Sequence, residues 1–188
     1  MARVMYTREL MPTRRFALCL LAAGLFGCAA TEPMRVSAAP VQIVEFDKSG
    51  RKKGVVNVEK IVKTDEEWRK ELPADAYLVA RKQGTEHPFA NRFWNNHRDG
   101  IYSCVCCGTP LFDSKTKFES GTGWPSFWAP IAEQNVALHS DRSLGMERTE
   151  VLCARCDAHL GHEFDDGPEP TGLRFCMNSA ALTFTERG

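Results

Sequence analysis

The chain has 188 residues, 43% of them hydrophobic and 10% aromatic, enough to bury a core in one or two domains. Its 24 basic and 24 acidic side chains balance, which excludes a large electrostatic field drawing it to nucleic acid or acidic lipid. Partners are therefore expected to be neutral or recognised locally.

Arg14 and Arg15 precede an apolar run over residues 16–26. That run is too short to span a bilayer and suits the core of a secretory signal. Leu25, Phe26, Gly27 and Cys28 close it and resemble a lipobox, in which the cysteine thiol is acylated and becomes the mature N-terminus, although Phe26 is an unusual occupant of its position. The expectation is a lipoprotein signal over residues 1–28, a lipid on Cys28 and a protein anchored at the cell envelope on the periplasmic side. An ordinary cleaved signal is the alternative, and the arginine pair also loosely resembles a twin-arginine signal. Residues 29–40, rich in Ala, Pro, Thr and Ser, read as a flexible tether.

Residues 41–63 contain alternating apolar and polar positions around Ser49-Gly50 and predict an extended segment, either a hairpin or a strap. Thr64 and Glu67 have the spacing of a capping box, Trp68 and Leu72 form an apolar stripe, and Pro73 ends this first helix. A second short helix is predicted over 74–82, with Gly84 taking the left-handed stop. From Gly100 onward, short apolar runs broken by Gly, Pro, Asp and Asn predict strands over 101–105, 111–112, 137–140, 147–153, 173–177 and 181–185. The fold is expected to be mainly β, with the helices at its N-terminal edge.

Two C-x-x-C pairs, Cys104 with Cys107 and Cys153 with Cys156, read as one closed tetrahedral zinc site, because each pair forms a knuckle presenting two sulfurs to a single ion. Gly108 after the first pair and a polar turn after the second favour metal over redox dithiols. Between the knuckles, Trp124, Phe127 and Trp128 follow a glycine-rich turn. They either fill the core or form a small aromatic pocket able to hold an apolar, polarizable group such as an S-methyl. His159 and His162 suit acid/base or orienting work, with a catalytic metal and satisfied core histidines as rivals. Cys176 stands alone, and in a strand Arg174 and Asn178 project from its face. A guanidinium there favours the thiolate. The bland reading is a buried cysteine beside a surface salt bridge.

Together these segments resemble the B-type methionine sulfoxide reductases, which act on the R epimer of the sulfoxide. The matching stretches include Gly84-Thr85-Glu86-His87-Pro88-Phe89, Gly145-Met146-Glu147-Arg148-Thr149-Glu150-Val151, His159-Leu160-Gly161-His162 and Arg174-Phe175-Cys176-Met177-Asn178-Ser179. The resemblance implies two antiparallel β-sheets and a structural zinc in a reductase domain over residues 64–186. It implies that the Cys176 thiolate attacks the sulfoxide sulfur and becomes a sulfenic acid. Trp124 would be the wall for the methyl group, with Phe175 as a further substrate contact. His159, His162, Asp166, Arg174 and Asn178 would surround the oxygen, and His162 would protonate it. The implied partners are oxidised proteins and a thioredoxin-like or other thiol reductant.

Two positions depart from the family pattern. Thr122 stands where many members carry a resolving cysteine, which leaves Cys106 as the one unassigned thiol of the mature domain. Direct reduction of the sulfenic acid by an external thiol is expected, with Cys106 as the alternative resolver. Glu163 stands where an apolar residue is common, and it either favours a protonated His162 or faces away from it. The rival functions are a non-catalytic zinc-ribbon binding module and a zinc hydrolase with His159 and His162 as ligands.

Overall fold

The computed structural model describes residues 39–142 and 147–188. The expected signal, the lipidation site at Cys28 and all but the end of the tether lie outside the described residues.

Strands β1 (Val41–Phe46) and β2 (Lys52–Val58) form an antiparallel hairpin. Its turn is built on Asp47, whose Oδ1 accepts from the backbone N–H groups of Ser49 at 2.9 Å and Arg51 at 3.0 Å. Those donors, with the Ser49 hydroxyl first among them, hold the Asp47 carboxyl down to about 2. The extended-segment expectation thus resolves into a hairpin. Asn135 docks it, accepting from Val44 N–H at 2.7 Å and donating to the carbonyls of Val44 at 2.9 Å and Pro110 at 2.7 Å.

Helix α1 (Asp65–Glu71) begins at the predicted capping box and buries Trp68. Helix α2 (Ala74–Lys82) follows directly. Its left-handed stop is Gln83, with φ 54°, and not Gly84. Gly84 serves another need, because its N–H donates to the Leu78 carbonyl at 3.0 Å and a Cβ there would lie 2.8 Å from the same oxygen.

Nine further strands follow: β3 (Gly100–Cys104), β4 (Pro110–Asp113), β5 (Lys117–Phe118), β6 (Ser126–Phe127), β7 (Val136–Asp141), β8 (Arg148–Cys153), β9 (His159–Phe164), β10 (Arg174–Met177) and β11 (Leu182–Glu186). They build two antiparallel sheets, a six-stranded one in the order β5-β6-β10-β9-β8-β7 and a three-stranded one in the order β11-β3-β4. Fully buried Tyr102, Leu111, Phe112 and Leu182 from the small sheet meet Phe127, Val151, Leu160 and Met177 from the large one. Phe112 and Phe127 stack at 4.5 Å between ring centroids, so one core joins the sheets.

The strands β5, β6 and β9 were not expected. The first two have two residues each, too few to show alternation. In β9 the alternation is broken by a bulge, since Gly161 pairs with Val151 but His159 with Leu152. A side chain at Gly161 would collide with the carbonyl of Cys176 on β10, which fixes glycine at that crossing.

Candidate active site and metal centre

The two knuckles close the β3–β4 and β8–β9 connections and so belong to different sheets. Their backbones follow one pattern. Gly108 and Asp157, each directly after its C-x-x-C, have φ 72° and 54°. Their N–H groups return to the carbonyls of Cys104 at 2.8 Å and Cys153 at 2.9 Å. This turns both sulfurs of each knuckle inward, and the four Sγ atoms lie within 4.8 Å of one another. Cys104 to Cys156 is 3.6 Å and Cys107 to Cys153 is 3.5 Å. Cys104, Cys153 and Cys156 are buried and Cys107 half-buried, so the set is a possible metal site between the sheets.

The large sheet carries the other cluster in a single rank. Residues paired across adjacent strands share a face, and the register links Phe118, Ser126, Cys176, His162, Glu150 and His139 in line. Cys176 therefore stands between a hydroxyl and an imidazole. Thr122 Oγ1 lies 4.0 Å from its sulfur, and Ser120 Oγ bridges Thr122 at 2.8 Å and Ser126 at 2.7 Å. Burial pushes the Cys176 thiol up, while the Arg174 guanidinium and the hydroxyls of Thr122 and Ser126 pull it back. Arg174, on the same face of β10, is held in place by Asp166 through a two-pronged pair at 2.7 and 2.9 Å and lies 4.3 Å over Phe164. Asp166 is exposed, and its carboxyl is held below the usual range by Arg174. Asp166 thus orients the guanidinium from outside.

Each histidine has its own carboxylate. His159 Nδ1 meets Glu150 Oε1 at 2.6 Å, and Gln83 Nε2 donates to the same oxygen at 3.2 Å. Burial lowers the affinity of His159 for a second proton despite Glu150. A carboxylate only accepts, so the Nδ1 proton points at Glu150 and Nε2 keeps its lone pair. His162 Nε2 meets Asp141 Oδ2 at 2.9 Å, and Arg148 donates to that oxygen at 2.7 Å. The rings lie 5.4 Å apart, edge to face, and the four paired cysteines are the one group of metal-ligand spacing among the described residues. Among the described residues, neither histidine belongs to a group of three or more ligands of the kind a hydrolytic zinc would need.

Trp124 is half-buried and donates its indole N–H to the Glu86 carbonyl at 3.1 Å. Asn178 is buried, accepts from Glu86 N–H at 3.1 Å and donates to the Leu160 carbonyl at 3.1 Å, so it braces backbone with most of its amide. Phe175 corrects an expectation. It lies on the opposite face of β10 from Cys176, is buried and packs 5.9 Å from the Phe112 ring, as a core residue. Glu163 pairs with Phe175 and Thr149 on that opposite face, so Asp141 and not Glu163 is the carboxylate at His162. Cys106 is half-buried in the first knuckle.

Three carboxylates of the site were not singled out in the sequence. Glu150 and Asp141 reach their histidines through strand pairing, and Glu86 reaches Trp124, Asn178 and the backbone of Ser179 and Ala180 from a loop distant in sequence. Glu86 and Glu150 fall inside stretches that carry the family resemblance, the only sign of them that the sequence offers.

The SelR domain matches residues 72–186. A protein of Herminiimonas arsenicoxydans named peptide methionine sulfoxide reductase MsrB is 57% identical over 126 residues, covering 67% of this chain and 92% of that protein. One of the same name from Hahella chejuensis is 53% identical over 127 residues, with 68% and 91% covered. The chloroplastic peptide methionine sulfoxide reductase B1 of Oryza sativa subsp. japonica is 62% identical over 120 residues, with 63% and 56% covered.

Proposed function

The chain belongs to the SelR-domain family of B-type peptide methionine sulfoxide reductases and reduces methionine-R-sulfoxide in proteins, and we propose that Cys176 is its nucleophile. The observation that carries this reading is the rank holding the Cys176 sulfur between the Thr122 and Ser126 hydroxyls and His162, with Arg174 on the same face. The thiolate attacks the electrophilic sulfoxide sulfur, with the methyl group against Trp124. Negative charge grows on the oxygen, which Arg174 stabilises and His162 protonates. Transfer of that oxygen leaves methionine and the Cys176 sulfenic acid, the sulfoxide being reduced as the thiol is oxidised. His159, fixed by Glu150, supports the pocket beside His162.

An external thiol then condenses with the sulfenic acid, releasing water and forming a mixed disulfide, and a second thiol restores Cys176. Thr122 has no sulfur to substitute for the external donor, which we assign to a thioredoxin-like protein or other dithiol. The four paired cysteines fit zinc. Zn–S bonds of about 2.3 Å in a tetrahedron put sulfurs about 3.8 Å apart, close to the observed pairs at 3.5 and 3.6 Å. With four protein ligands and no open position, such an ion is structural.

The arginine pair, apolar run and lipobox-like sequence support export and anchoring through Cys28 at the periplasmic side of the envelope. Palmitate incorporation lost in Cys28→Ala, with release from the membrane fraction, tests this; retention of that variant in the membrane would refute it. Catalysis is tested by Cys176→Ser. It is expected to abolish reduction of methionine-R-sulfoxide while keeping the metal, and retained turnover would refute the assignment.

A further inference from the structure

Glu86 has no part in the chemistry above, yet it joins the two halves of the site. Its Oε1 accepts from Ser179 N–H at 2.7 Å, and its Oε2 accepts from Ala180 N–H at 2.8 Å and from Asn91 Nδ2 at 2.6 Å. Ser179 and Ala180 directly follow the segment that holds Cys176 and Asn178. The backbone of the same residue donates to Asn178 Oδ1 at 3.1 Å and accepts the Trp124 indole N–H at 3.1 Å. Five hydrogen bonds thus converge on one residue between the aromatic wall and the end of β10.

This convergence is built against opposition. Burial raises the Glu86 carboxyl, while the N–H donors of Ala180, Ser179 and Asn91 favour its ionised form and pull it back. The loop that carries it is also bent. Phe89 holds φ 60°, a conformation disfavoured for an aromatic residue, and donates its N–H to the Gly123 carbonyl at 2.9 Å. Gly123 itself has φ 87°, and a Cβ there would lie 2.7 Å from Phe89 N. The loop and the turn before Trp124 touch backbone to backbone.

We infer that Glu86 is a positioning residue that fixes the Trp124 ring relative to the Cys176 strand and thereby sets the width of the methyl pocket. The inference rests on the reading of Trp124 as the methyl wall. Its hydrogen bonds go to Asn91, to Trp124 and to residues after Cys176, none to the Cys176 sulfur, so its loss should weaken sulfoxide binding without changing the thiol.

The test uses the full chain with its metal bound. In Glu86→Gln the amide offers a single acceptor oxygen and sets its own N–H against a backbone donor. KM for a peptide methionine-R-sulfoxide is expected to rise about tenfold with kcat changed less than about threefold, as for loss of a charge-assisted hydrogen bond used only in positioning. The rate of Cys176 alkylation by iodoacetamide should stay unchanged. An unaltered KM, or an alkylation rate that falls with turnover, would overturn the inference. Trp124→Ala separates it from its premise: normal KM there removes the methyl-wall reading, whereas raised KM there with normal KM in Glu86→Gln removes the positioning role alone. Should Glu86→Gln fail to fold, Asn91→Ala removes one donor from the same carboxylate. Its KM is expected to rise about threefold, and a value equal to that of the parent would contradict the proposal.

Discussion

Burial strips solvent from the Cys176 sulfur and favours the neutral thiol, while the Arg174 guanidinium and two neighbouring hydroxyls favour the thiolate. Burial is the largest of these effects, so the thiol titrates above an ordinary cysteine and the reactive form grows as pH rises. Alkylation of Cys176 by iodoacetamide followed against pH should therefore give an inflection above that of a free cysteine. Arg174→Met should move it higher still and lower kcat/KM at neutral pH by about tenfold or more; an inflection that moves down would contradict this account of the site. Thr122 offers a second check, because its hydroxyl already lies 4.0 Å from the sulfur. Thr122→Cys should convert the sulfenic acid into an internal disulfide after one equivalent of sulfoxide, read as loss of both free thiols. Cys176, its flanking arginine and the two histidines were legible in the sequence because their chemistry is local. Strand alternation, which places Arg174 and Cys176 on one face, also places Phe175 on the other, so its burial was legible too.

Strand pairing supplies what the sequence could not. Glu150, paired across from His162, meets the His159 imidazole only because a bulge between β8 and β9 brings His159 onto the side of His162, and neither the bulge nor β9 itself shows in the hydrophobic pattern. The capping box of α1 was legible because three residues contain it, whereas the choice of Gln83 over Gly84 at the end of α2 depends on a close approach to Leu78. The β1–β2 hairpin precedes the 72–186 match, and buried Asn135 ties it to the domain with two hydrogen bonds to Val44 and one to Pro110. Asn135→Ala should cost about 2 kcal/mol, from leaving the Val44 and Pro110 groups unpaired. That corresponds to a Tm lower by about 4–8 °C in a domain of this size, with faster hydrogen exchange at Val44. An unchanged Tm would show that the hairpin is held by its apolar contacts alone.

At the scale of the domain, the cysteine quartet and the aromatic core both lie between the two sheets. The core alone leaves the knuckles as turns with four adjacent thiols, and the apparent binding energy of a structural zinc, about 10–16 kcal/mol in small zinc modules, is of the order of a domain's total stability. Prolonged chelation should therefore abolish the cooperative thermal transition, and turnover should fall with it in parallel. Turnover that survives complete removal of the metal would separate the quartet from the fold. The division of the cysteines into a structural quartet and one nucleophile is read most directly by mass spectrometry after a single equivalent of peptide methionine-R-sulfoxide, without reductant. The expected product carries one added oxygen on Cys176, with Cys106 free and the quartet intact; oxygen elsewhere, or a disulfide between Cys106 and Cys176, would contradict it.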